Sequence, residues 1–270
     1  MTGISLQFNG ITNEGLHVLC PALKLFVNLI ALDLAANGIV ITAGEAGRLL
    51  ANQLAGALES LPRLDRLNLS GIRMRDCVST VLGRISHPLS MLRLSGCGLR
   101  LADLVWLSTA EVTSRLEQLD IGANNLAPRI DAVCLLLIHA AGSLAVFEAE
   151  DAELTTVSLS LLLATFEQLQ QLRYINLCGS DDIGAAAVID TLEKLIAVPR
   201  LRVFRLSAPK DLAVSPADGE VIHAGSGADG GENVDQFREA RNSFAWRLSD
   251  LLVRLCYAHN RPVIRLALKL

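Results

Sequence analysis

Residues 29–39, Leu29-Ile30-Ala31-Leu32-Asp33-Leu34-Ala35-Ala36-Asn37-Gly38-Ile39, place apolar side chains at positions 1, 4, 6 and 11, with an amide at position 9. Residues 116–126, LEQLDIGANNL, repeat that order with Leu116, Leu119, Ile121, Asn124 and Leu126. Searching outward with the same template finds Leu64, Leu67, Leu69, Ile72 and Met74, then Leu89, Leu92, Leu94, Cys97 and Leu99. Further copies are Leu144, Phe147, Ala149, Ala152 and Leu154, then Leu172, Ile175, Leu177 and Ser180, then Leu201, Phe204, Leu206 and Pro209. In the last two the closing apolar residue slips by one, to Ile183 and Leu212. The copies start at 29, 64, 89, 116, 144, 172 and 201, intervals of 35, 25, 27, 28, 28 and 29 residues. Leucine-rich repeats have units of about 20–29 residues, each a strand followed by a helix.

Side chains on a strand alternate with period two, so positions 4 and 6 face one way, into a core. Position 9 suits Asn, whose amide satisfies backbone groups in the turn leaving the strand. Asn37 and Asn124 keep that role; Cys97, Ser180 and Ala152 are weaker substitutes, and Ile72 and Pro209 lack the chemistry. Between the strands the spacing is helical over 43–58, 101–107, 131–141, 159–169 and 185–196, with Leu49, Leu50, Leu54 and Leu58 and then Leu161, Leu162, Leu163 and Phe166 as apolar positions. The fold class expected is α/β: a leucine-rich-repeat solenoid, a horseshoe with a parallel inner sheet and convex helices. Ile4-x-Leu6-x-x-Asn9-x-Ile11 fits the second half of the template, so the chain is expected to start inside a repeat and to be a piece of a longer protein or covered there by another chain.

Composition agrees. Hydrophobic residues make up 51% and aromatics 4%, so the core must be aliphatic, as in stacked small units. The net charge is -4, with 24 basic and 28 acidic residues interspersed and no basic stripe, which argues against nucleic acid. The most apolar stretches, 16–40 and 130–147, are interrupted by Lys24, Asp33, Asp131 and His139, so no membrane span is expected, and the start of the chain has no signal-peptide pattern. The cysteines Cys20, Cys77, Cys97, Cys134, Cys178 and Cys256 form no CxxC pair and read as buried thiols of a reducing compartment, cytoplasmic or nuclear.

The end of the chain differs in composition. Residues 1–212 hold about eight repeats, the first incomplete; 213–233 read as a flexible, acidic, Gly-rich loop; 234–270 read as a C-terminal helix and closing strand, a cap. The helix carries Phe237, Phe244, Trp246, Leu248, Leu251, Leu252 and Leu255, and Arg261-Pro262 ends it before the alternating stretch 263–268. The ending NRPVIRLAL (260–268), after repeats and an insertion, is similar to the C-terminal half of PRAME-like leucine-rich-repeat proteins. PLSMLRLSGCGLRLADLVWL (88–107) and LIAVPRLRVFRL (195–206) resemble repeats of that family. The resemblance covers roughly 64–268. It implies substrate recognition for a cullin-type ubiquitin ligase, or signalling and transcriptional regulation through protein contacts. The cullin- and elongin-binding box that lies upstream of the repeats in that family is not found in this sequence.

No catalytic constellation emerges. His17, His87, His139, His223 and His259 lack metal-ligand spacing, and GSGADG (225–230) matches a dinucleotide fingerprint by letters, outside any βαβ unit. No enzyme, cofactor, metal or small-molecule substrate is expected. Trp106 and Trp246 serve as core packing more readily than as interface anchors. Positions 3, 5 and 7 should face outward from the inner sheet. Position 5 reads Asp33, Asn68, Arg93, Asp120, Glu148, Asn176 and Arg205; position 3 adds Arg66, Gln118 and Tyr174, and position 7 adds Glu150. The candidate protein-binding residues are therefore Arg66, Arg93, Asp120, Glu148, Glu150, Tyr174, Asn176 and Arg205. Their acidic middle suits a partner with a basic segment. The expected function is a protein-binding adaptor, the alternative a concave-face enzyme inhibitor of the ribonuclease-inhibitor kind.

Overall fold

The computed structural model describes residues 2–180, 183–195, 198–207 and 265–269. Nine strands form one parallel sheet in chain order: β1 (Gly3–Ser5), β2 (Ala31–Asp33), β3 (Arg66–Asn68), β4 (Met91–Arg93), β5 (Gln118–Asp120), β6 (Val146–Glu148), β7 (Tyr174–Leu177), β8 (Val203–Ser207) and β9 (Arg265–Lys269). The register matches the repeat template residue for residue: Ile4, Leu32, Leu67, Leu92, Leu119, Phe147, Ile175 and Phe204 stand side by side. From Leu32 to Phe204 every position-4 side chain is buried, as is every position-6 side chain from Leu34 to Leu206.

Helices follow the strands on the outer side: α1 (Asn13–Leu23), α2 (Glu45–Glu59), α3 (Val78–Leu82), α4 (Leu101–Leu107), α5 (Ile130–His139), α6 (Thr156–Phe166) and α7 (Ala185–Leu195). Their lengths track the repeat intervals. The 35-residue interval holds the 15-residue α2, and the 25-residue interval leaves room for only the five residues of α3. Strands must stay side by side, so the ladder keeps a short common register and length variation is taken up outside it. Leu49 and Leu161, counted above with the apolar helix faces, are 60% and 41% exposed; each lies on the outer side of its helix.

Position 9 organises the stacking. The amide at position 11 of one repeat is received by position 9 of the next. Asn37 Oδ1 accepts from Ile11 N (3.0 Å), Asn124 Oδ1 from Leu99 N (3.0 Å) and Ser180 Oγ from Leu154 N (3.1 Å). Where the side chain has no oxygen, the backbone substitutes: Met74 N donates to Cys97 O and Leu126 N to Ala152 O. In the longest repeat, Ile41 N donates to Arg73 O instead. Cys97 and Ala152 are therefore no weak links, because their carbonyls do the accepting. Each of these amides is thereby paired.

Position 8 carries a second ladder. Phe8, Ala36, Gly71, Gly96, Ala123, Asp151 and Gly179 all have positive φ, between 49° and 81°. The chain must turn out of each strand through the left-handed region, which glycine adopts freely and other residues at a cost. At Gly179 a Cβ would stand 1.7 Å from Asp151 Oδ1.

At the β1 end, Ile4, Leu6, Ile11, Leu19 and Phe26 are only partly buried, and Phe8, Val18, Leu25 and Val27 are exposed. No helix among the described residues is long and apolar enough to cross a membrane. The segments expected as a loop at 213–233 and a helix at 234–259, with GSGADG, Trp246, Cys256, His223 and His259, lie outside the described residues.

Candidate functional site

The inner sheet presents three columns of side chains across its strands. Over β4–β8, position 3 reads Met91, Gln118, Val146, Tyr174 and Val203, and position 5 reads Arg93, Asp120, Glu148, Asn176 and Arg205. Position 7 has Ser95, Gly122, Glu150, Cys178 and Ser207. The column at position 3 is mainly apolar and the next is charged. Arg66 is exposed on β3, one strand before the group.

Position 5 divides into two kinds of residue. Asp33, Asn68, Asp120 and Asn176 each accept the backbone N–H two residues on, at 2.9, 3.1, 3.0 and 3.2 Å. This local bond shapes the exit turn. Asn176 stands in the same column as Glu148 and Arg205 but is 1% exposed, covered by its neighbours, and also donates to Glu150 Oε2 at 3.0 Å, so it braces β7 to Glu150. Arg93, Glu148 and Arg205 have side chains too long, or of the wrong charge, for that turn bond. They project over the sheet. Arg93 Nη2 approaches Glu148 Oε1 at 3.8 Å, reaching across β5, and Arg205 Nη1 donates to Tyr174 Oη at 3.4 Å.

The middle of the face is electrostatically unsettled. Burial raises the Asp120 carboxyl above its ordinary value, Glu150 adds to the effect, and the Gly122 amide and Arg93 oppose it. Burial likewise raises Glu148, reinforced by Asp120 and countered by Arg93. Three carboxylates share one small area, and a cation placed there would relieve them.

The other polar candidates are tied into the scaffold. His87 Nε2 contacts Leu64 O at 2.6 Å, His139 Nε2 contacts Ala110 O at 3.0 Å, and His17 Nδ1 contacts Gln53 Oε1 at 2.9 Å. Cys20, Cys77, Cys97, Cys134 and Cys178 are free thiols; burial pushes Cys97 up to about 12 and Cys20 to about 11, away from nucleophilic reactivity. Trp106 packs partly buried against the core. Among the described residues no group of His, Cys, Asp and Glu is placed to hold a metal ion. The outer surface is less inert than the sequence suggested. Leu101 and Val105 of α4, Leu135 and Ile138 of α5, and Val157 and Leu161 of α6 are 41–72% exposed on three consecutive helices.

A single parallel sheet in chain order, with a helix after each strand from β1 to β7 among the described residues and stitched at position 9, defines a leucine-rich-repeat solenoid of the α/β kind. Within that class the chain belongs to the PRAME family: residues 45–222 match the PRAME C-terminal domain. It is similar to leucine-rich repeat-containing protein 14 of Xenopus laevis, 29% identical over 218 residues, covering 79% of this chain and 42% of that protein. Leucine-rich repeat-containing protein 14 of Homo sapiens is 24% identical over 210 residues, covering 77% of this chain and again 42% of the relative. The chain thus spans less than half the length of the curated relatives it matches. Among solved structures, an internalin (inlF) from Listeria monocytogenes shares 15% identity, with a TM-score of 0.34 and coverage of 68% of each chain. Family and fold point to a protein-interaction scaffold.

Proposed function

We propose that this domain is the recognition element of a protein-binding adaptor, taking a basic segment of its partner on the inner sheet. The observation that carries this is the arrangement on β4–β8. Glu148, Glu150 and Asp120 converge beside Arg93 and Arg205 on a face held rigid by the position-9 ladder. A preorganised surface loses little freedom on binding, so a few polar contacts yield useful affinity. Family membership supports the finer role of substrate receptor for a cullin-type ubiquitin ligase, or regulator of signalling or transcription, with the ligase contact made by another part of the full protein.

The test is the double reversal Glu148→Lys with Glu150→Lys. Glu148 is a partly exposed partner of Arg93 at 3.8 Å, whereas Glu150 accepts from Asn176 Nδ2 at 3.0 Å. Circular dichroism and a melting curve therefore check that the fold persists, with the single Glu148→Lys reversal beside the double one. Proteins captured by the unaltered chain and lost to the variant, with reduced salt sensitivity, support the proposal. Capture that survives the reversal but fails on Leu135→Asp with Leu161→Asp would move the docking surface to the outer helices. For the ligase role, the captured protein should be ubiquitylated in a reconstituted cullin reaction containing the full-length relative, and not when that relative carries the reversal.

A further inference from the structure

Resting on the inner sheet as the docking surface, we infer that its occupant is an amphipathic α-helix lying along the solenoid axis, one helical turn per strand. On the facing stripe its side chains run acidic, basic, basic, amide, acidic, with an apolar stripe beside them.

The spacing of the face selects the helix. Neighbouring strands are about 4.8 Å apart. Side chains one turn apart on a helix are separated by about 5.4 Å. Alternate side chains of an extended segment are separated by about 6.6–6.8 Å, and fall out of step by the second strand. Over the four intervals from β4 to β8 the helix drifts by roughly half a strand spacing, within reach of Arg, Lys and Glu side chains.

The columns select its chemistry. Position 5 runs Arg93, Asp120, Glu148, Asn176, Arg205, a plus–minus–minus–neutral–plus order fixed by the sheet register, in which the covered and already bonded Asn176 asks only for an uncharged residue opposite it. The complementary order is the one stated above. Beside it, Met91, Val146, Tyr174 and Val203 are half-buried and line the adjacent column, which Gln118 alone interrupts. A basic but unstructured tail would use the middle of the face and leave this apolar column and both arginines unmatched. Laying an amphipathic helix on a sheet face uses all of them.

The probe is a synthetic, side-chain-stapled helical peptide with Glu, Lys, Arg, Gln and Glu at one-turn intervals and a Leu/Ile stripe adjacent. Its binding to the 270-residue chain is followed by fluorescence anisotropy, beside a charge-reversed peptide of the same length and a proline-containing version of the first that cannot coil. The expected result is that the first peptide binds and the reversed one binds at least about tenfold more weakly. Glu148→Lys with Glu150→Lys should narrow or invert that preference, and Val146→Asp should weaken the first peptide in a chain that still melts cooperatively. Equal or tighter binding by the proline version overturns the helical occupant. So does a failure of all three peptides with a chain that still captures a partner through Glu148 and Glu150; the docking surface itself then stands. Peptide binding indifferent to the reversal and to Val146→Asp overturns both.

Discussion

Replacing Asn124 by Ala tests how the repeats are stitched. The Asn124 side chain is 3% exposed, accepts from Leu99 N at 3.0 Å, and donates to Leu94 O, Ile121 O and Gly122 O at 2.9–3.0 Å. It thus holds β4's repeat to β5's from inside. Truncation leaves the Leu99 amide, whose residue is 3% exposed, without its acceptor. A buried unpaired donor costs about 1–3 kcal/mol. The carbonyls that lose a donor raise the expected total to about 2–4 kcal/mol. An opposing possibility is built into the same molecule: Leu126 N is received by the backbone oxygen of Ala152, so a turn without Asn exists. Urea unfolding compared at constant m, with hydrogen exchange at the Leu99 amide, separates the two. A loss below about 1 kcal/mol with Leu99 still protected would show that the turn relaxes into the Ala152 form. The amide ladder would then not be what sets the stacking.

Further outcomes follow from the other ladders. Ala123, at φ 49°, pays the left-handed cost, so Ala123→Gly should stabilise by about 0.5 kcal/mol after glycine's unfolded-state entropy is deducted. Gly179→Ala, with its Cβ driven into Asp151, should lose more than about 2 kcal/mol; equal melting temperatures for the two variants would refute the ladder. Leu94→Ala should cost about 2–5 kcal/mol in urea unfolding, as a fully buried position-6 side chain, and a loss under 1 would contradict the register. Asp120 has its folded-state pKa raised, chiefly by burial, so the folded chain holds that proton more tightly than the unfolded one. Its penalty is absent in acid below the unfolded value of about 4 and develops as pH rises through the folded value. Asp120→Asn, which keeps an acceptor for Gly122 N, should therefore raise the melting temperature at pH 7 but not at pH 3; a loss at pH 7 would refute this.

The strands were legible because an inward period of two recurs seven times in register, and no helix packs with that pattern. Helix α1 escaped notice because Pro21 lies inside it, and α3 because five residues carry too little periodicity. Of the site, the columns were legible and their division was not. Asn176 and Glu148 look alike on a strand template, but the amide is short enough to bond Cys178 N and is buried, while Glu148 reaches over the sheet. The signal was present, since Asp or Asn stands at position 5 in four repeats and suits that turn. The position-8 ladder was disguised by Ala36, Ala123 and Asp151, which pay for their φ where glycine would not. The apolar band on α4–α6 follows from helix facing, which the runs of Leu and Val in those segments leave ambiguous.

Carboxyl footprinting of the chain with and without a captured partner bears most directly on the inner sheet as the docking surface. Carbodiimide labelling reads Asp120, Glu148 and Glu150, and hydroxyl-radical oxidation reads Met91 and Tyr174 together with Leu135, Ile138 and Leu161. The predicted result is protection of the first five residues on partner binding, with the three on the outer helices unchanged. Protection of Leu135, Ile138 and Leu161, with Glu148 and Glu150 labelled as in the free chain, would contradict it.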